Sequence, residues 1–70
     1  MTKSAAYQFA RDHLRELIEE YNADRGDSMS RTVELHNLFR ADGYSVHDAQ
    51  TAARFALMSA AFEFVLRSEP

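Results

Sequence analysis

Seventy residues with 46% hydrophobic and 27% charged side chains belong to one small globular domain rather than a disordered chain. Cys is absent, which excludes disulfides and thiolate metal sites as devices for holding so small a core together. The formal charge of −3 and the pI near 5.5 lack the basic footprint of nucleic-acid binders and of proteins drawn to anionic membranes.

A single core of this size seldom supplies more than about 3–5 kcal/mol, so the remaining sources of stability are close helix packing and oligomerisation. Only two Gly and one Pro occur, and the Pro is the final residue. Strand-rich small folds need many turns, so this composition, dominated by Ala, Leu, Glu and Arg, points to an all-α chain. No apolar run approaches the roughly 20 residues that span a bilayer, and the N-terminus has no signal-peptide core. A cytoplasmic protein with no membrane association is expected. The expected architecture is one helical domain over residues 1–70, a three-helix bundle with two shorter amphipathic helices at about 4–22 and 29–41. A long C-terminal helix at about 46–67 completes it.

In chain order, Ser4 is placed to cap the first helix. Tyr7, Ala10, Leu14, Leu17 and Tyr21 recur at spacings of three and four, and Ala6 and Ile18 widen them into a core-facing stripe. Asp12, Glu16 and Glu19 lie opposite, with Arg11 and Arg15 as compensating charge at helix spacing. These acids read either as a solvated face or as a patch for a basic partner, which Glu20, Asp24 and Asp27 would extend. Phe9 breaks the pattern: it projects roughly 115° from the stripe's centre, among carboxylates, and is a candidate for contact with another chain.

Gly26 marks a loop, after which Ser28 or Ser30 is expected to cap the second helix. Its stripe is Met29, Thr32, Val33, Leu35, His36 and Phe39, with His36 read as a histidine at the core's edge. Leu38 falls outside the stripe and is a second candidate contact. Gly43 is suited to the left-handed position that ends this helix, and Ser45-Val46-His47-Asp48 is a variant capping box that opens the next.

The third helix has two apolar faces. Ala49, Ala52, Ala53, Ala56 and Ala60, edged by Val46, Leu57 and Phe64, form a face of small side chains that admits a close neighbour. Phe55, Met58, Phe62, Val65 and Leu66 lie roughly 160° away. Leaving such side chains in water forgoes roughly 1.5–3 kcal/mol each, so a homodimer joined along this second face is expected, the alternative being a monomer with the helix at its centre.

No H-E-x-x-H, phosphate loop or G-x-S-x-G elbow organises the acids, bases and hydroxyls of this chain. No catalytic residue, metal ligand or cofactor is assigned, and an enzyme is not expected. Helix two, its turn and helix three have a helix-turn-helix outline, with His47, Gln50, Thr51 and Arg54 on one side as DNA-reading residue types. The negative charge, Asp48 beside that edge and a longer turn weigh against it, so DNA-binding transcriptional regulation is the alternative reading.

Gly43-Tyr44-Ser45, then Ala49 and Ala52, and the closing Ala61-Phe62-Glu63-Phe64-Val65-Leu66 are similar to a ubiquitin-associated domain over about 30 residues. The resemblance implies a Gly-aromatic loop and an Ala-rich helix followed by a separate closing helix. Here nothing breaks Ala53 to Ala60, and the first helix is extra, so ubiquitin binding is not carried over. The expected function is a non-enzymatic regulator or inhibitor that binds a larger protein partner, comparable in size to phage-type inhibitors. Its expected contacts are Phe9, Leu38 and the acids Asp12, Glu16, Glu19 and Glu20.

Overall fold

The computed structural model describes residues 5–23 and 30–68, and every one of them outside His13 and the turn 42–45 is helical. Four helices follow in order: α1 (Ala5–Asp12), α2 (Leu14–Ala23), α3 (Ser30–Ala41) and α4 (Val46–Ser68). The first segment, expected as one helix, is therefore two. His13 separates them, yet its N–H donates to the Phe9 carbonyl at 3.0 Å and its carbonyl accepts from Leu17 N–H at 2.9 Å, so α1 and α2 join without a loop. The His13 ring packs on Phe9 with centroids 4.5 Å apart, and its Nδ1 lies 3.3 Å from Glu16 Oε1. Both interactions draw the residue toward its own helix neighbours. The expected cap at Ser4, the loop at Gly26 with Asp24 and Asp27, the cap at Ser28, and Met29 lie outside the described residues.

α3 stops where the chain chemistry says it should. Gly43 adopts φ +102°, the region that Gly enters without a Cβ penalty. Its N–H donates to the Arg40 carbonyl at 3.0 Å and that of Tyr44 to the Phe39 carbonyl at 3.2 Å, the paired bonds of a Schellman ending. The hydrophobic contact that accompanies this motif is Tyr44 against Phe39, centroids 5.3 Å apart and edge-on. Ser45 Oγ then accepts from Asp48 N–H at 3.1 Å, and α4 begins.

α4 packs against all three other helices. The core is built largely of small side chains: Ala6 and Ala10 from α1, and Ala49, Ala53, Ala56 and Ala60 from α4, around Leu17, Leu35 and Phe39. Tyr7 closes on Phe39 from the side, ring centroids 5.8 Å apart. Alanine against alanine lets helix axes approach toward the low end of the roughly 8–10 Å range, so much of the attraction comes from close backbone packing. Arg11 Nη2 donates to Glu63 Oε2 at 3.1 Å and ties α1 to α4, while Arg67 Nη2 holds the other oxygen, Oε1, at 3.0 Å.

The stripes expected from periodicity are only partly inside. Val33 of the α3 stripe and Val46 and Phe64, expected at the edges of the alanine face, are exposed, as are Tyr7 and Ile18 of the first stripe. The molecule measures 39 × 34 × 16 Å along its principal axes. A thickness of 16 Å accommodates two layers of helices. In so thin a body only the central line of each stripe is covered on every side.

Candidate functional site

Phe9 and Leu38 come from different helices and were singled out because each departs from its own stripe. The fold brings them together. Both are half-buried against the core, and with Glu34 and Asn37 they line one shallow depression of about 310 Å³ where α1 meets α3. Phe9 is thus less outward than a helical wheel implies, because α3 rises alongside it. Glu34 and Asn37 were missed by periodicity, which places them on an outer face. The usable signal was spacing, since Glu34 stands one helical turn before Leu38 on the same side.

A line of charge runs from this depression along the seam of α2 and α3. Arg31 Nε donates to Glu16 Oε2 at 2.9 Å and its Nη1 to Glu34 Oε1 at 3.1 Å. The hydrogen bond from Arg31, with a second from His13, holds the Glu16 carboxyl below the usual carboxylate range. Glu16 and Glu34 therefore share one guanidinium between two carboxylates, and the rim keeps a negative balance.

Glu20 does something different from its neighbours. Its Oε2 accepts from Arg31 N–H at 3.0 Å, and its Oε1 from both Thr32 N–H and Thr32 Oγ1–H at 2.8 Å. Free N–H groups at the start of a helix need acceptors, and a carboxylate also meets the positive end of the helix dipole. Glu20, from α2, thus supplies acceptors for the N-terminus of α3, which the reading along the chain did not foresee. Burial works to raise its pKa, but the three donors from Arg31 and Thr32 outweigh it and hold it below the ordinary value. A carboxylate so engaged is not available as part of an acidic patch.

Asp12 and Glu19 lie elsewhere again. Together with Arg11, Leu14, Arg15, Ile18 and Phe64 they line a groove of about 450 Å³ between the first two helices and α4. The six expected contact residues consequently divide four ways. Phe9 and Leu38 share the α1–α3 depression, Glu16 pairs with Arg31 across the α2–α3 seam, Glu20 is structural, and Asp12 and Glu19 edge the groove among two arginines.

His47, Gln50, Thr51 and Arg54 are all exposed at the start of α4. Thr51 Oγ1 is turned to the His47 carbonyl at 3.3 Å, and Asp48 is exposed beside them. Under Arg54 lies a polar corner. Tyr21 Oη and His36 Nε2 are shielded from solvent without a hydrogen-bond partner. Burial, reinforced by the Arg54 charge, pushes the His36 imidazole below its usual pKa, and burial pushes the Tyr21 phenol up against the opposing pull of Arg54. His36 is half-buried at the edge of the core, where its position in the stripe suggested, but its Nε2 has no hydrogen-bond partner.

No family model, curated protein or solved structure matches this chain. Among the described residues no helix is long and apolar enough to cross a membrane, and no group of three or more His, Asp or Glu side chains is placed to hold a metal ion.

Proposed function

We propose that the protein is a non-enzymatic interaction module, a regulator or inhibitor that acts by docking on a larger protein. The bundle is three-armed in effect, α1 and α2 forming one arm, and two copies associate along Phe55, Met58, Phe62, Val65 and Leu66 of α4. One observation carries the docking reading: two apolar residues that serve no stripe of their own converge on a single depression with a carboxylate and an amide at its rim. Apolar lining with a few placed polar groups is the chemistry of a recognition pocket, and a fully exposed anchor residue of a partner fits its size. Glu34 and Glu16 beside it favour a partner segment in which that anchor is flanked by Lys or Arg.

The reading is tested by capture of binding proteins from the native host with the wild-type chain, Leu38→Ala and Glu34→Lys. Leu38 is half-buried against the core and Glu34 accepts from Arg31, so binding is compared under conditions where the helical circular dichroism of each variant shows it folded. A partner retained by wild type and lost at least tenfold by both variants supports the pocket. A partner retained equally by all three moves the docking face elsewhere on the molecule, and the absence of any specific partner removes the proposal.

A further inference from the structure

The distribution of side chains in α4 is inverted relative to an ordinary small domain. Ala49, Ala53, Ala56 and Ala60 are inside, and the large apolar residues of its second half, Leu57 apart, are outside. Phe55, Met58, Phe62, Val65 and Leu66 are 59%, 64%, 66%, 54% and 57% exposed. Four of them, Phe55, Met58, Phe62 and Val65, follow the three-four-three spacing of a coiled-coil seam, and Leu66 flanks it. Helical-wheel geometry sets these four residues roughly 170° around the helix from the buried line Ala49, Ala53, Ala56 and Ala60. Among the described residues no helix covers the seam, in a body 16 Å thick.

The seam's five side chains leave roughly 600 Å² of apolar surface in water, taking about 60% of the area such residues present. Isolated monomers rarely expose a contiguous patch so large, and a stable complex buries about 800 Å² per partner. The seam with its polar flanks is of that size, and a surface with hydrophobic centre and coiled-coil spacing is matched by another like itself.

Resting on the dimer reading above, we infer that two copies of α4 pair antiparallel, about a two-fold axis that crosses the seam between Met58 and Phe62, level with Ala60 along the helix. The register follows from the order of the side chains. With the axis at that point, Phe55 of one copy meets Val65 and Leu66 of the other, and Met58 meets Phe62, so each large apolar group has a large apolar partner. Arg54 of each copy is carried to the last turn of the opposite α4, where a cation meets the negative end of the helix. The polar start, His47 to Thr51, then projects past the end of the other helix and stays in water. Parallel pairing in register does the reverse. It sets Arg54 beside Arg54, faces Thr51 with Thr51, and aligns the two helix dipoles.

The chain has no cysteine, so single labels can be introduced at will. Nitroxides attached to His47→Cys and, separately, to Ser59→Cys in the full chain report distances between copies by pulsed electron paramagnetic resonance. Antiparallel pairing about Ala60 predicts about 40 Å at position 47, twice the helical rise to the axis, and less than about 20 Å at position 59. Short distances at both positions overturn the antiparallel inference and leave a dimer standing. No distance between copies at either position, with a sedimentation mass equal to the 8.0 kDa chain, overturns the dimer itself.

Discussion

At the residue scale Glu20 shows most clearly how a side chain's neighbours decide its role. Seen along the chain it is one more acid on an acidic helix. In the fold it accepts three hydrogen bonds from Arg31 and Thr32 at the start of α3. Removing it strands two helix N–H groups and the hydroxyl of Thr32, which is buried. Glu20→Ala is therefore expected to destabilise the fold by about 1–3 kcal/mol, read from the urea midpoint at pH 7. The carboxyl is held below its ordinary value of 4.5, so its stabilisation is complete above that pH and is lost as pH falls through the lower folded-state value. Acid unfolding below pH 4.5 should consequently be shallower in Glu20→Ala than in wild type, Glu16, depressed by Arg31, retaining part of the slope. An unchanged midpoint together with an unchanged acid limb would show that the cap contributes nothing.

At the element scale the fold depends on how closely α4 is approached. Ala53 and Ala56 are wholly buried between α4 and its neighbours. Among the described residues only Leu17, Leu35 and Phe39 are large side chains buried completely, so the close-packed alanines provide much of the remaining contact. Enlarging one of them forces the helices apart, and Ala53→Leu is expected to lower stability by about 1–3 kcal/mol despite its added apolar surface. Thermal unfolding of this variant distinguishes a tight alanine seam from a loose one, because a loose seam would gain from the larger side chain. The other two element-scale devices, Gly43 with its Schellman bonds and Ser45 as cap of α4, are local. They were legible in the sequence because the groups they satisfy lie within a few residues of them.

At the scale of the whole molecule the balance between inside and outside is what matters. One phenylalanine of five, Phe39, is fully buried, while Phe55, Phe62 and Phe64 are exposed. If the α4 seam joins two copies, Phe62→Glu introduces a carboxylate beside the two-fold axis in each. Because Phe62 is exposed in the single chain, its fold should survive. Sedimentation at micromolar concentration is expected to give twice the 8.0 kDa chain mass for wild type and the single mass for Phe62→Glu. Equal masses for the two would place association, if any, away from this face.

The sequence by itself determined the helices and several of their ends, because hydrophobic period, a positive-φ glycine and a capping serine act over one or two turns. It also separated the alanine face of α4 from the phenylalanine face, since that division follows from helix geometry alone. Only the tertiary structure decided that the first segment divides at His13, that α2 supplies the cap of α3, and that Val33, Val46 and Phe64 lie outside the core. The depression formed by Phe9 and Leu38 with Glu34 and Asn37 was likewise settled by tertiary contacts. The reason is common to all of them. Each depends on which surfaces of separate helices meet, and on how few layers 70 residues can stack, and neither is written into the spacing of residues along one helix.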